Sequence, residues 1–332
     1  MQTRNELIAI VWRWGTPKTV LIVMRTSNGF AHAEEKKSLS EQIEDVKKSR
    51  MPKSEKIATL KACGLRDKEI SEILRVYVPK GSTAQRFVTT FGVEIECVHA
   101  ERLALIEAGR ANGVDIHSEG YNHTDNKSYF KIVSDASVGG DVDPNEVVSP
   151  VLNGNTNGMA TLKKAIKSLD AVGARVNSTC GLHVHIGAAK LTGEQYVNVF
   201  KNYQKLERLI DSFMAPSRRG NCRWAASLLD KDFSNCRGNY DIIRNVFHGD
   251  RYYKVNAESY TRHKTIEFRQ HQGSTNYKKI EMWVKFCAKL VGWSRNNVFT
   301  SEVMNIEDIP FLNKEEKAFF QSRKDAFAAN ND

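Results

Sequence analysis

A chain of 332 residues with 41% hydrophobic and 9% aromatic content can bury the core of one large domain plus a small one, and it is too apolar for extended disorder. The formal net charge of +10 is uneven: residues 1–90 carry 17 Lys and Arg against 10 Asp and Glu, the rest 32 against 29, so an acidic partner such as nucleic acid is expected at the N-terminal quarter. The early apolar runs, residues 7–12 and 20–24, are too short to span a bilayer and no small-residue cleavage site follows them, while the six cysteines include no Cys-x-x-Cys pair; a cytoplasmic protein with free thiols is expected.

In chain order, residues 6–14 and 18–25 are β-rich and joined across Gly15-Thr16-Pro17, which predicts a hairpin. Ser38-Leu39-Ser40-Glu41 has capping-box spacing and opens a charged helix to about Arg50, a linker or packing arm. In residues 54–74, Ile57 and Leu60, a turn at Gly64, then Leu65, Ile70, Ile73 and Leu74 predict two short helices sharing an apolar seam. The pair resembles the first two helices of a helix-turn-helix. Pro79 and Gly81 interrupt the expected third helix, which is either displaced to residues 82–89 or missing, and a plain helical hairpin is the alternative.

From Phe91 the pattern changes. Phe91-Gly92-Val93-Glu94-Ile95-Glu96 alternates polar and apolar residues with the period of a strand, so Glu94 and Glu96 share one face. The same alternation places His183 with His185 in Cys180-Gly181-Leu182-His183-Val184-His185, and Glu267 with Arg269 in Thr265-Ile266-Glu267-Phe268-Arg269. One such pair would read as a solvated strand face. Three pairs made of carboxylates, imidazoles and a guanidinium suit divalent cations and a polyphosphate instead.

Between these strands, residues 101–112 are expected to be helical, residues 129–133 to form a strand leading to Asp135 and the Gly139-Gly140 turn, and Glu146 to open another strand. Met159, Leu162, Ile166 and Leu169 follow helical spacing before the histidine strand. Thr192-x-x-Gln195 caps a long helix ending before Pro216, and Ile280, Trp283, Val284, Cys287 and Leu290 mark one more amphipathic helix. Helices covering one side of a sheet would leave its other side open.

The series Phe-Gly-Val-Glu-Ile-Glu at 91–96, Glu-Val-Val-Ser-Pro at 146–150, Cys-Gly-Leu-His-Val-His at 180–185, Arg-Tyr-Tyr-Lys-Val-Asn at 251–256 and Thr-Ile-Glu-Phe-Arg at 265–269 resembles the phage and bacterial amidoligase family. That family belongs to the carboxylate-amine ligases with a glutamine-synthetase-like catalytic fold. The resemblance runs over about residues 88–295. It implies an α+β domain: a curved, mostly antiparallel sheet with helices on one face. It also implies ATP and Mg²⁺ or Mn²⁺ as cofactors, and carboxylate and amine substrates joined through an acyl phosphate. Residue by residue, Glu94, Glu96, Glu146, His183 and Glu267 match metal-ligand positions, and His185 and Arg269 match positions at the nucleotide phosphates or the transferred phosphoryl group. Arg251 would hold phosphate or the acyl intermediate, and Tyr252 and Asn256 would line the substrate pocket.

The expected division is residues 1–87 for the hairpin and helix-turn-helix-like region, 88–300 for the catalytic domain and 301–332 for a helical extension. The expected location is the cytoplasm, the host's if the protein is phage-encoded. The chain has no Gly-x-x-x-x-Gly-Lys-Ser/Thr loop, so phosphates must be held by metals and arginines. Three rivals remain: a metal-dependent ATPase or kinase that forms no amide, a nucleic-acid-binding regulator with a degenerate ligase-like sensor, and a cupin-like iron centre. The regulator would have lost motif residues, and the iron centre would need a carboxylate soon after His185, where Ile186-Gly187-Ala188-Ala189-Lys190 supplies none.

Overall fold

The computed structural model describes residues 7–10, 21–24, 38–51, 53–74, 89–120, 128–139 and 142–329. The chain divides into two units, residues 1–80 and 81–332. No helix among the described residues is long and apolar enough to cross a membrane.

In the first unit, β1 (Leu7–Ile10) and β2 (Leu21–Met24) pair antiparallel, Leu7 opposite Met24. The Gly15–Pro17 turn read from the sequence lies outside the described residues. Helix α1 (Leu39–Lys48) starts with the reciprocal bonds of a capping box, the Ser38 hydroxyl accepting from the Glu41 amide and the Glu41 carboxylate from the Ser38 amide. Val46 of α1, Leu60 of α2 (Lys53–Ala62) and Ile70 of α3 (Asp67–Leu74) form one buried cluster with Ile43, Ile57, Leu65, Ile73 and Leu74 around it. The apolar seam therefore recruits α1 as well. The expected third helix, near residues 76–87 or displaced to 82–89, falls almost wholly outside the described residues.

The second unit is built on an open, mostly antiparallel sheet with helices. Its strands are β3 (Thr90–Cys97), β4 (Ile116–Ser118), β5 (Phe130–Val133), β6 (Asn145–Val148), β7 (Leu152–Asn153), β8 (Gly181–Gly187), β9 (Val255–Asn256) and β10 (Thr265–Gln272). They run in the order β4-β5-β6-β3-β8-β10-β9, with β7 pairing the start of β3. Every described pair is antiparallel except β4–β5.

Alternation decides what each strand buries. Phe91, Val93 and Ile95 of β3, Leu182, Val184 and Ile186 of β8, and Ile266 and Phe268 of β10 are almost wholly buried. Each such side chain contributes about 1.5–3 kcal/mol by leaving water. Helix α9 (Tyr277–Trp293) packs on β8 and brings Ile280, Trp283, Val284, Cys287 and Leu290 into the core. Against α9 lie α5 (Gly158–Ala171) and α6 (Gly193–Ser212), the latter opening with the Thr192/Gln195 capping box.

The remaining helices are α4 (Arg102–Asn112), α7 (Asn239–Asp241), α8 (Ser259–His263) and α10 (Lys314–Ala329). Glu101 caps α4 by accepting from the Leu103 and Ala104 amides, and Gly113 ends it in the left-handed conformation. Residues 301–329 join the second unit: Val303, Ile306, Ile309, Phe311, Leu312 and Phe320 are buried, and Lys289 of α9 pairs with Glu316 of α10 at 2.6 Å.

Candidate active site

The sheet register brings the polar pairs side by side. Glu94 on β3 stands opposite His183 on β8, Gly92 opposite His185, and Glu267 on β10 opposite His185. Glu96 stands opposite Glu146 of β6, and Glu267 opposite Asn256 of β9. Because side chains alternate with period two, this register puts all four carboxylates and both imidazoles on one face of four neighbouring strands plus β9.

His183 is the centre of the cluster. Its Nδ1 lies 3.0 Å from Glu94 Oε2 and 3.6 Å from Glu267 Oε1, and its Nε2 lies 3.6 Å from Glu96 Oε1. Two trios result, Glu94–His183–Glu267 and Glu96–Glu146–His183, each offering ligand atoms that all lie within 4.8 Å of one another. A neutral imidazole has one lone pair, so His183 can serve only one trio at a time as a ligand.

Around the trios most polar atoms are hydrogen-bonded and two are not. Asn256 donates to Glu267 Oε2 at 2.6 Å, and Arg269 Nη1 donates to Glu267 Oε1 at 2.5 Å. The Gly181 amide donates to Glu96 Oε2 at 2.6 Å. The His185 ring bonds Thr265 Oγ1 through Nδ1 at 3.0 Å. Its Nε2 comes within 3.2 Å of Glu94 Oε1 but outside hydrogen-bond geometry, and the buried Nε of Arg269 also has no acceptor among the described residues.

The β10 strand carries a bulge here. Phe268 opposes Val184 but His271 opposes Leu182, so Arg269 and Gln270 together occupy the place opposite His183. Arg269 keeps its backbone amide bonded to Lys254 O and its side chain over the cleft, while Gln270 turns into the core and bonds Tyr203 and Asp211.

Charge crowding shifts the titration of these groups. Burial, and then the negative charges of Glu94, Asp135, Glu96 and Glu267, push the Glu146 carboxyl well above the usual carboxylate range. Burial also acts to raise Glu94 and Glu267, but it is outweighed, by the two imidazoles at Glu94 and by Arg269 and His185 at Glu267, so both are lowered. Burial acts against protonated His185, and the carboxylates of Glu94 and Glu267 reverse this and raise it. Four carboxylates, one of them pushed above its ordinary range by burial and by the charge of the others, are a donor set whose crowding a divalent cation relieves.

The cluster floors a cleft of about 1710 Å³. Arg251, read from the sequence as a phosphate holder, is exposed on its wall, with its guanidinium 5.2 Å from the centre of the Tyr252 ring, and Arg269 approaches the same ring at 5.6 Å. Trp224 meets Tyr252 edge to face at 5.4 Å. Tyr252 and Asn256, both read from the sequence as pocket residues, line the cleft, and the Asn256 amide also donates to Glu267.

Sequence reasoning missed three participants. Arg218, on the turn after α6, is 4% exposed and lines the cleft. Asp135 lines it too and adds to the charge beside Glu146. Lys254 is wholly buried behind Arg269, 2.9 Å from Glu207 and 2.6 Å from Asp211. The signal for the last was present: Glu207 and Asp211 follow Tyr203 at spacings of four along the buried stripe of α6, where a carboxylate needs a partner.

No curated protein matches the chain. The protein family described as "Putative amidoligase enzyme" matches residues 88–291, more than half of the chain and every strand from β3 to β10. The chain therefore belongs to the amidoligase family.

Proposed function

We propose that the protein is an ATP-dependent carboxylate-amine ligase that forms its amide bond through an acyl phosphate on a divalent-cation site. The observation that carries this reading is the pair of trios sharing His183, with the Arg269 guanidinium beside them, on the floor of one cleft. Carboxylates with a single imidazole suit Mg²⁺ or Mn²⁺ better than Zn²⁺, which favours more nitrogen and sulfur. Glu94, Glu96, Glu146, His183 and Glu267 would hold the cations, which when bound supply positive charge to phosphate oxygens.

The chain's own residues have positioning work to do. A substrate carboxylate oxygen attacks the γ-phosphorus of ATP and ADP leaves. The amine then attacks the acyl carbon, phosphate departs with that carboxylate oxygen, and the amine's proton passes to a base or to the leaving phosphate. Arg269, steered by Glu267, presents a planar donor to the equatorial oxygens of the transferring group, with His185 beside it. Arg251 and Tyr252 sit on the wall where they can meet phosphate or the acyl group. No protein nucleophile is required.

ATP turnover with Mg²⁺ or Mn²⁺ against a panel of carboxylates and amines, with mass analysis of products, tests the reading. ADP and phosphate should appear in step with amide, and heavy oxygen placed in the substrate carboxylate should be found in the phosphate. Stable phosphorylated product or amine-independent ADP release would point to a kinase or ATPase. Release of AMP and pyrophosphate would refute the acyl phosphate.

A further inference from the structure

Among the buried charged residues outside the proposed mechanism is Arg218. It lies on the short turn Pro216–Arg218 and is more than nine-tenths buried, yet no carboxylate of the described residues pairs with its guanidinium. Its Nη2 donates to the backbone carbonyls of Cys180, at 2.9 Å, and Thr179, at 3.3 Å. Its Nε and Nη1 donate to no described residue, and the side chain lines the cleft. Glu96 balances its charge through space without a hydrogen bond, so donors of the guanidinium remain for an anion in the cleft.

The turn holds the side chain in place from behind. Gln270 donates to Arg218 O at 3.2 Å, and the Gly220 amide donates to Asp211 Oδ2 at 2.9 Å, so both ends of the arginine pair are tied to the buried Lys254 network. In front, the guanidinium lies across Gly181. A Cβ at that position would stand 3.2 Å from Arg218 Nη2 and 3.0 Å from His183 Nε2, so the missing side chain leaves room for both groups. The Gly181 amide also holds Glu96. Arg218 thus flanks the Glu96–Glu146–His183 trio as Arg269 flanks the Glu94–His183–Glu267 trio.

We propose that Arg218 is a further oxyanion-binding guanidinium of the cleft, the second buried one beside Arg269. It grips, from the Glu96 side, the anion that the reaction activates: the terminal phosphate of the nucleotide or the carboxylate that receives it. The assignment rests on the ligase reading, and it gives the cleft two forks between which one anion can be held at both trios. Each charge-assisted bond of this kind contributes enough to change an affinity roughly 10- to 100-fold.

Arg218→Met, Arg218→Lys and the neighbouring Arg219→Met control are compared with the wild type by calorimetry, using the Mg²⁺ complexes of AMP-PNP and ADP, and succinate added to the Mg²⁺–ADP-loaded protein. If Arg218 grips the terminal phosphate, Arg218→Met weakens AMP-PNP roughly 10- to 100-fold and leaves ADP unchanged. If it grips the carboxylate, both nucleotides keep their affinity and succinate binding is lost. Arg218→Lys, which keeps the charge and most of the volume, shows a smaller loss of the same kind and is read alone if the Met variant does not fold. Folded variants that match the wild type with both probes overturn the assignment. A wild type that binds neither nucleotide overturns the ligase reading itself.

Discussion

Lys254→Met is the sharpest test of how the candidate site is supported. Lys254 and Glu207 are both fully buried, and Glu207 also accepts from the Ser227 hydroxyl and, at 2.8 Å, from the Leu228 amide. Removing the ammonium leaves the fully buried Glu207 without its cationic partner and Asp211 short of one donor. Breaking such a buried pair typically costs about 3–5 kcal/mol, and in a unit of this size each kcal/mol lowers Tm by about 2–4 °C, so a fall of roughly 6–20 °C is expected. Adding Glu207→Gln removes the stranded charge and should recover at least half of the loss. Thermal unfolding by circular dichroism, with the denaturant midpoint as a second reading, measures both variants. A fall of less than about 2 °C, or a double variant no better than the single, would refute the claim that the ion pair holds this region together.

Arg269→Lys should stay folded and lose about 3–4 kcal/mol of transition-state stabilisation, roughly 100- to 1000-fold in turnover, because a point charge cannot reproduce a bidentate fork; steady-state ADP release coupled to amide formation measures it. The rise in Tm produced by Mg²⁺ should grow with pH. Glu146 is held above its ordinary carboxylate range, so without a cation its stabilising protonation is fully present below the unfolded value and lost as pH rises through the folded one, whereas loading a cation requires it ionised. Thermal shifts at about pH 6 and about pH 8 should therefore diverge, Glu146→Gln should reduce the slope, and an increment that falls with pH contradicts the reasoning. The N-terminal quarter, with its excess of basic residues, is expected to give the full chain weak nucleic-acid binding that fades with salt; fluorescence anisotropy that finds no binding even at low ionic strength removes the expectation.

What the sequence made legible follows from periodicity. The strand period alone put Glu94 with Glu96, His183 with His185 and Glu267 with Arg269, and the register then set those pairs against one another. The capping boxes at Ser38 and Thr192 were equally readable, because each is a contact within four residues. The bulge at Arg269 was not, since the extra residue is defined only against β8. Nor was Arg218. It is one of two adjacent arginines on an aperiodic turn, and only the fold buries it while Arg219 turns to the Met214 carbonyl. Lys254 stood only as one residue of the Arg-Tyr-Tyr-Lys-Val-Asn motif, and the carboxylates that pair with it come from α6, far earlier in the chain.

The distribution of burial separates two tasks within the cleft. Glu96, Glu146, His183, Glu267 and Arg269 are all buried and all stand on strands whose neighbours fix them on both sides. The wall residues Arg251, Tyr252 and Trp224 stand on loops and keep more of their surface in solvent. Phosphoryl transfer needs charges fixed within a fraction of an ångström, which a packed sheet provides and a loop does not. Recognition of one carboxylate or amine among many needs surfaces that can vary without disturbing that geometry, which is what loops on a rigid scaffold provide. Arg218 is the exception that joins the two. It comes from a loop, but its turn is tied through Gln270 and Asp211 to the buried ammonium of Lys254, so a loop residue acquires the rigidity of the sheet it faces.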